Sequence, residues 1–208
     1  MSNPYVVVEE FEREVAKYCG APYAVAVDSC THALFLCCKH EHVDKQPYIK
    51  IPKRTYVSVP CEIIHAGGRV RFADWTWSGE YQLGDTCIWD SAKRFTSGMF
   101  VPGRMQCLSF HFSKILNAGR GGMILHDDPD ADRWLREARF SGRHPEVPLR
   151  EDDIEMVGWH YTLDPVFAAA GLLRLSRLPD YNADQQEIYP DLSQFACFQG
   201  MTDEVSAS

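Results

Sequence analysis

The segment Ser109-Phe110-His111-Phe112-Ser113-Lys114 sets a lysine among apolar neighbours, with Ile115 and Leu116 on its far side. An ammonium withdrawn from water loses part of its preference for the charged form, so its pKa falls. The resulting amine is a nucleophile toward carbonyl carbon, which is the chemistry of a Schiff-base lysine. A lone lysine is ordinarily a solvated surface charge, and it is this bracketing that lifts Lys114 above the others. Asp90 ends a short apolar run from Thr86 to Trp89. The C-terminal end of a strand is where open α/β sheets put ligand-contacting groups. A carboxylate there can keep a ring nitrogen protonated, although capping of the next turn explains it equally well. Ser29-Cys30-Thr31 supplies two hydroxyls and unpaired backbone N–H groups at a helix start, a receptor for phosphate. The same pattern also serves simply to cap helices. Gly119, Gly121 and Gly122 read as a tight hairpin in preference to a phosphate cradle.

These residues need a frame, and the apolar spacing supplies one. Val8, Phe11, Val15, Ala16 and Cys19 recur at helical intervals among charged residues, which predicts an amphipathic helix over 8–19 closed by Gly20. A strand over Tyr23 to Val27 follows, then a helix from Thr31 with Ser29 as its N-cap. The alternation repeats as a strand over 48–51, a helix over 56–65, the turn Gly67-Gly68 and a strand over 69–73. Short strands end at Asp90, at Phe110 and at His126, and helices cover 130–140 and 168–178. Strands separated by helices predict an α/β sheet.

Composition sets the outer limits. With 45% hydrophobic residues in 208, the chain is long enough for one domain with a sizeable core. A net charge of −8 argues against nucleic acid and anionic membrane as general partners. No signal-peptide pattern opens the sequence and no apolar run is long enough for a membrane span, so a cytoplasmic location is expected. Eight cysteines without a Cys-x-x-Cys pair read as reduced core thiols. Cys37, Cys38, His40, His42 and Asp44 crowd together with ligand types that suit zinc. A helix end running into a polar loop is the simpler account, and no metal is expected.

In their order along the chain, these pieces resemble the DegT/StrS group of sugar aminotransferases, pyridoxal-phosphate (PLP) enzymes of fold type I. Phe11-Glu12 through Cys19-Gly20 is similar to the family's opening helix and glycine. Val27-Asp28-Ser29-Cys30-Thr31-His32-Ala33-Leu34 is similar to its phosphate turn, with Cys30 in place of a usual glycine. Thr55-Tyr56-Val57-Ser58 resembles the segment whose aromatic, here Tyr56, lies against the cofactor ring. Asp90-Ser91-Ala92 falls on the motif whose aspartate meets the pyridinium. Ser109 to Lys114, followed by Gly121-Gly122, falls on the internal-aldimine motif, where Ser109 helps bind phosphate and Lys114 forms the imine. Three departures stand out: Lys93 where the family has Gln or His, His160 where it has an asparagine reaching the partner's phosphate, and a strand-and-helix unit lacking between Trp77 and Ile88.

The resemblance implies a fold type I-like large domain with a reduced, mostly parallel sheet flanked by helices, and little of the smaller C-terminal domain. Residues 1–180 are expected to form the PLP-binding α/β domain, and 181–208 a short C-terminal helix and a tail that frays after Gly200. It also implies amino transfer from glutamate or glutamine to a keto-sugar nucleotide, in a homodimer with a shared site. Lys114 and Asp90 would be catalytic, while Ser29, Cys30, Thr31, Tyr56, Lys93, Ser109 and His160 would contact the cofactor. Without the small domain, the cofactor edge is expected to be poorly covered and the cleft wide. A PLP-dependent decarboxylase or lyase, or a non-catalytic remnant that binds PLP or sugar nucleotide, is the alternative.

Overall fold

The computed structural model describes residues 5–144 and 146–202. Helix α1 (Val6–Cys19) buries Val8, Phe11, Val15, Ala16 and Cys19, as the spacing predicts, and also Glu12. Gly20 ends it at φ 78°, with its N–H on the Ala16 carbonyl. Strand β1 (Tyr23–Val27) leads to α2 (Cys30–His40), whose N-cap Ser29 accepts from the His32 N–H. Then come β2 (Ile49–Pro52), α3 (Ser58–His65), β3 (Val70–Ala73), β4 (Tyr81–Gln82), β5 (Ile88–Asp90), β6 (Met105–Ser109) and β7 (Gly122–His126). Two Pro-initiated helices follow, α4 (Pro129–Ala138) and α5 (Pro165–Leu175), capped by the side chains of Asp128 and Asp164.

Five strands form one sheet in the order β1-β7-β6-β5-β4, and β2 and β3 form a separate parallel pair. Strands β1, β5 and β6 run one way, whereas β7 and β4 run the other. The α/β architecture is the expected one, but the sheet is mixed where a mostly parallel one is expected. The reason lies in the connections. Chain reversal after β6, and again between β4 and β5, joins neighbouring strands without a crossover helix, and such joins give antiparallel pairs.

The central strands are buried on both faces, and period-two alternation divides them between two cores. Val25, Val27, Cys107 and Ile124 face α2, α3 and α4. Ala24, Ala26, Leu108, Met123 and Leu125 face α1 and α5. Helices α1 and α5 approach closely because residue 171 is glycine: a Cβ there would lie 2.6 Å from the Phe11 ring. Cys37 and Cys38 lie buried in α2 and all eight cysteines are free. Among the described residues no helix is long and apolar enough to cross a membrane.

The C-terminal part differs from expectation. Residues 181–191 carry no helix or strand, and where a C-terminal helix is expected there are two single 3-10 turns, Leu192–Gln194 and Ala196–Phe198. Past Gly200, Met201 accepts the Phe72 N–H and Thr202 bridges to the same residue, so these two extend the β2–β3 edge. The last part of the expected frayed tail, 203–208, lies outside the described residues.

Glu12 fastens α1 to the sheet and to α4. Its carboxylate accepts the Ala26 N–H at 2.8 Å, Arg136 Nη1 at 2.7 Å and Arg139 Nη1, and Arg139 also donates to the Ala26 carbonyl. Glu12 is 4% and Arg139 8% exposed, so removing one partner strands a charge away from water. We expect Glu12→Ala to cost about 3–5 kcal/mol in urea unfolding, and Glu12→Gln less because the amide oxygen still accepts the Ala26 N–H.

Candidate active site

A cavity of about 520 Å³ opens at the C-terminal ends of β5 and β6, within the size range of small-molecule sites. Four of the chain segments that line it carry residues expected from the sequence. Ser29, Cys30 and Thr31 come from the turn into α2, Tyr56 from the residues before α3, Asp90 and Lys93 from the end of β5, and Ser109 and Lys114 from the end of β6. These are eight of the nine cofactor contacts expected from the sequence. The ninth, His160, is exposed in an isolated bridge to Phe140 and does not line the cavity.

Electrostatics follow from burial. Asp90 is 4% exposed, and the loss of water raises its carboxyl above the usual range. The Ala92 N–H at 3.0 Å, the Tyr81 hydroxyl and the two lysines act in the opposite direction. Tyr81 sits opposite Asp90 in the β4–β5 pair and shares a 2.6 Å hydrogen bond with Thr55 Oγ1, which ties the Tyr56 segment to the Asp90 strand. Lys114 is lowered, first by burial and then by the ammonium of Lys93 beside it. Cys30 is pushed well up by burial and by Asp90, so its thiol stays protonated and unreactive.

The anion-ready end is the start of α2. Ser29 Oγ caps it through the His32 N–H at 3.1 Å, and Thr31 Oγ1 donates to Ser58 Oγ at 3.0 Å, gathering three hydroxyls at one helix N-terminus. Gly119 and Gly121 also line the cavity, on a loop that returns from β6 to β7, so they are more than the tight hairpin expected. Gly121 takes φ 129° and bridges to Ser29, which brings this loop against the phosphate-type turn.

The site also contains side chains that the sequence did not mark. Glu187 pairs with Lys93, and Tyr189 stacks on Trp77 at 6.0 Å and 16° while meeting Tyr56 edge-on at 6.5 Å. They belong to the irregular 181–191 strap. Arg94 grips Asp184 with two bonds of 3.0 and 2.7 Å, and the Gln185 N–H donates to the Lys93 carbonyl. Gly79 permits this docking: at φ +71° its missing Cβ would fall 2.1 Å from Asp184 Oδ2. The edge expected to be poorly covered is thus lined in part by the chain's own strap, through Glu187 and Tyr189. A pairing between residues 94 positions apart leaves no local signal. The carboxylates at 184 and 187 offered none beyond ordinary surface charge.

These features fit PLP. There is an amine with a depressed pKa, a carboxylate held out of water, aromatic faces and a hydroxyl-rich helix start, all around one cavity of suitable size.

The comparisons with known proteins agree with this arrangement. The chain is 27% identical over 233 residues to the spore coat polysaccharide biosynthesis protein SpsC of Bacillus subtilis (strain 168), with 87% of this chain and 59% of that protein covered. It is 24% identical over 223 residues to the GDP-perosamine synthase of Caulobacter vibrioides (strain ATCC 19089 / CIP 103742 / CB 15), at the same coverages. An aminotransferase from Psychrobacter cryohalolentis has the same fold, with a TM-score of 0.71 at 17% identity over 84% of this chain and 57% of that one. The chain thus spans about three-fifths of the length of the relatives it matches. The family model covers residues 1–80 and 97–203, leaving unmatched the stretch that holds β4, Asp90 and Lys93. With that match over most of its length, the chain belongs to the DegT/DnrJ/EryC1/StrS aminotransferase family.

Proposed function

We propose that the chain is a PLP-dependent aminotransferase that moves an amino group from glutamate or glutamine to a keto-sugar nucleotide. The observation that supports it most is that Lys114, with its lowered pKa, and the buried Asp90 line one cavity. The names of two relatives, one of spore coat polysaccharide biosynthesis and one a GDP-perosamine synthase, favour a sugar acceptor.

PLP, when bound, supplies the electron sink that makes a carbon–hydrogen bond next to nitrogen acidic. The chain does the rest. Lys114 Nζ would hold the cofactor and, as a neutral amine, would take up and return the substrate proton. Asp90 holds a proton on the ring nitrogen through a charged hydrogen bond in a dry site. Tyr56 packs against the ring. Ser29, Thr31 and Ser109, with the N–H groups at the start of α2, hold the phosphate. Cys30 contributes bulk in that turn. His160 is exposed, and in a homodimer it would donate to the phosphate of the second copy.

The purified chain should be yellow with PLP, and borohydride should fix a pyridoxyl group on Lys114, read by peptide mass. Attachment needs the neutral amine, so loading should rise with pH and be half complete below the ordinary lysine pKa of about 10.4. Glutamate should bleach the colour and a keto-sugar nucleotide restore it. Release of carbon dioxide would point to a decarboxylase, and a loaded chain deaf to every amino donor would point to a non-catalytic binder. A label on Lys93 in place of Lys114 would overturn the assignment of the lysine.

Asp90→Asn should keep the fold and lower turnover by about 10- to 100-fold, the worth of one charged hydrogen bond. Unchanged kcat would remove Asp90 from the reaction. For the dimer, sedimentation should give twice the chain mass, and His160→Ala should weaken PLP loading without changing that mass. Tight loading in a monomer would exclude a shared site.

A further inference from the structure

Lys93 is the one cationic side chain in the cavity besides Lys114 and Arg120, and it is the best buried of the three among the described residues, at 8% side-chain exposure. Its surroundings are Glu187, the Tyr189 ring at 5.9 Å, and the charges of Asp90 and Lys114. Glu187 differs from Asp90 in its support. Asp90 ends a strand, whereas Glu187 is 48% exposed on a strap that has no helix or strand. The strap is held at its ends by backbone bonds, Gln185 N–H to the Lys93 carbonyl and Leu192 N–H to the Lys53 carbonyl, both 2.9 Å. Between them, side chains do the holding: Gln186 on Ser78, Tyr189 on Trp77, and Glu187 on Lys93. Displacing such a segment breaks side-chain contacts, the Tyr189 stack among them, but no strand ladder.

We propose that Lys93 Nζ is the binding site for a substrate carboxylate, and that Glu187 fills it as an internal carboxylate which the substrate displaces. This rests on the amino-transfer reading above and names the subsite that reading leaves open. The argument is one of charge and reach. Without Glu187 the cavity holds Lys93, Lys114 and Arg120 against Asp90, an excess of positive charge with low-dielectric walls, which recruits an anion. An α-amino acid carries its carboxylate on the same carbon as the amine that must arrive at Lys114. A cation adjacent to Lys114 is therefore where that carboxylate falls. A lysine gives a compact, strongly hydrated charge that tolerates exchange between an internal and an incoming oxygen anion. The strap then couples donor entry to opening: the carboxylate that takes Lys93 frees Glu187 and loosens Tyr189, which share a 2.9 Å hydrogen bond.

Glutarate tests this, since it carries carboxylates but no amine and cannot react; glutaramide is the uncharged control. Affinity is measured by calorimetry on both unloaded and PLP-loaded protein, with borohydride labelling of Lys114 in the same samples. Glu187→Gln should bind glutarate about tenfold more tightly than the unaltered chain, with glutaramide unaffected. Glu187→Ala, on the exposed strap, should act in the same direction. Adding Lys93→Met, of similar length and apolar, should abolish the gain. Equal affinities in Glu187→Gln and the unaltered chain, or a gain that survives Lys93→Met, would overturn the proposal. Failure of Lys114 to take the label would sink the aminotransferase reading instead, while the unloaded titration still decides the carboxylate subsite.

Discussion

Asp90 is a carboxylate with almost no access to water, and the fold is arranged around the cost of keeping it there. One N–H, from Ala92, one hydroxyl, from Tyr81, and the charges of two lysines offset its burial. Each comes from a different constraint. Ala92 turns the chain immediately after β5. Tyr81 requires β4 to pair in register with β5, and its bond to Thr55 pulls in the loop that carries Tyr56. Lys114 requires β6 to run parallel beside β5 so that both strands end on the same side.

The short β4 region is what makes this possible in so few residues. Glu80, whose side chain is 6% exposed, accepts from Ser91 Oγ, Arg94, Arg104 and Gln106 at 2.8 to 3.0 Å. One buried carboxylate thus joins the end of β5 to β6. Arg94 spends its remaining donors on Asp184, and the strap is drawn across the cavity by the same guanidinium that satisfies Glu80. Planar, five-donor geometry suits Arg for this double role in a way lysine would not.

What the sequence disclosed follows from the range of each interaction. Helix α1 was legible because its five apolar residues repeat locally, and α2 because Ser29 caps it within three residues. Lys114 was legible because its apolar bracket is contiguous. Strand β4 was not: two residues carry no period, and Tyr81 owes its place to Asp90 and Thr55. Glu12 read as part of a charged helix face, since the arginines that bury it lie 124 and 127 residues away. The strap was read as a helix and tail because its contacts, with Lys93, Arg94, Ser78 and Trp77, are all long-range. The direction of β7 also escaped, because a strand's own residues say nothing of which way its neighbour runs.

Charge balance then explains why a site so rich in ionisable groups coexists with a stable sheet. Two ammonium groups and two carboxylates meet at the cavity, and their burial penalties do not fall on the same form. Burial favours neutral Lys114 and protonated Asp90, whereas Glu187 is lowered, first by its bond to Lys93. The pair at the mouth retains partial contact with water through the exposed Glu187, so its desolvation is incomplete. Of the inner groups Asp90 is almost without water and Lys114 is half-buried, and there the pKa values move toward each other instead. Groups driven in opposite directions by one environment are suited to passing a proton between them and a bound molecule. The outer ion pair is not insulated from that inner chemistry, because the Lys93 charge lowers both Lys114 and Asp90.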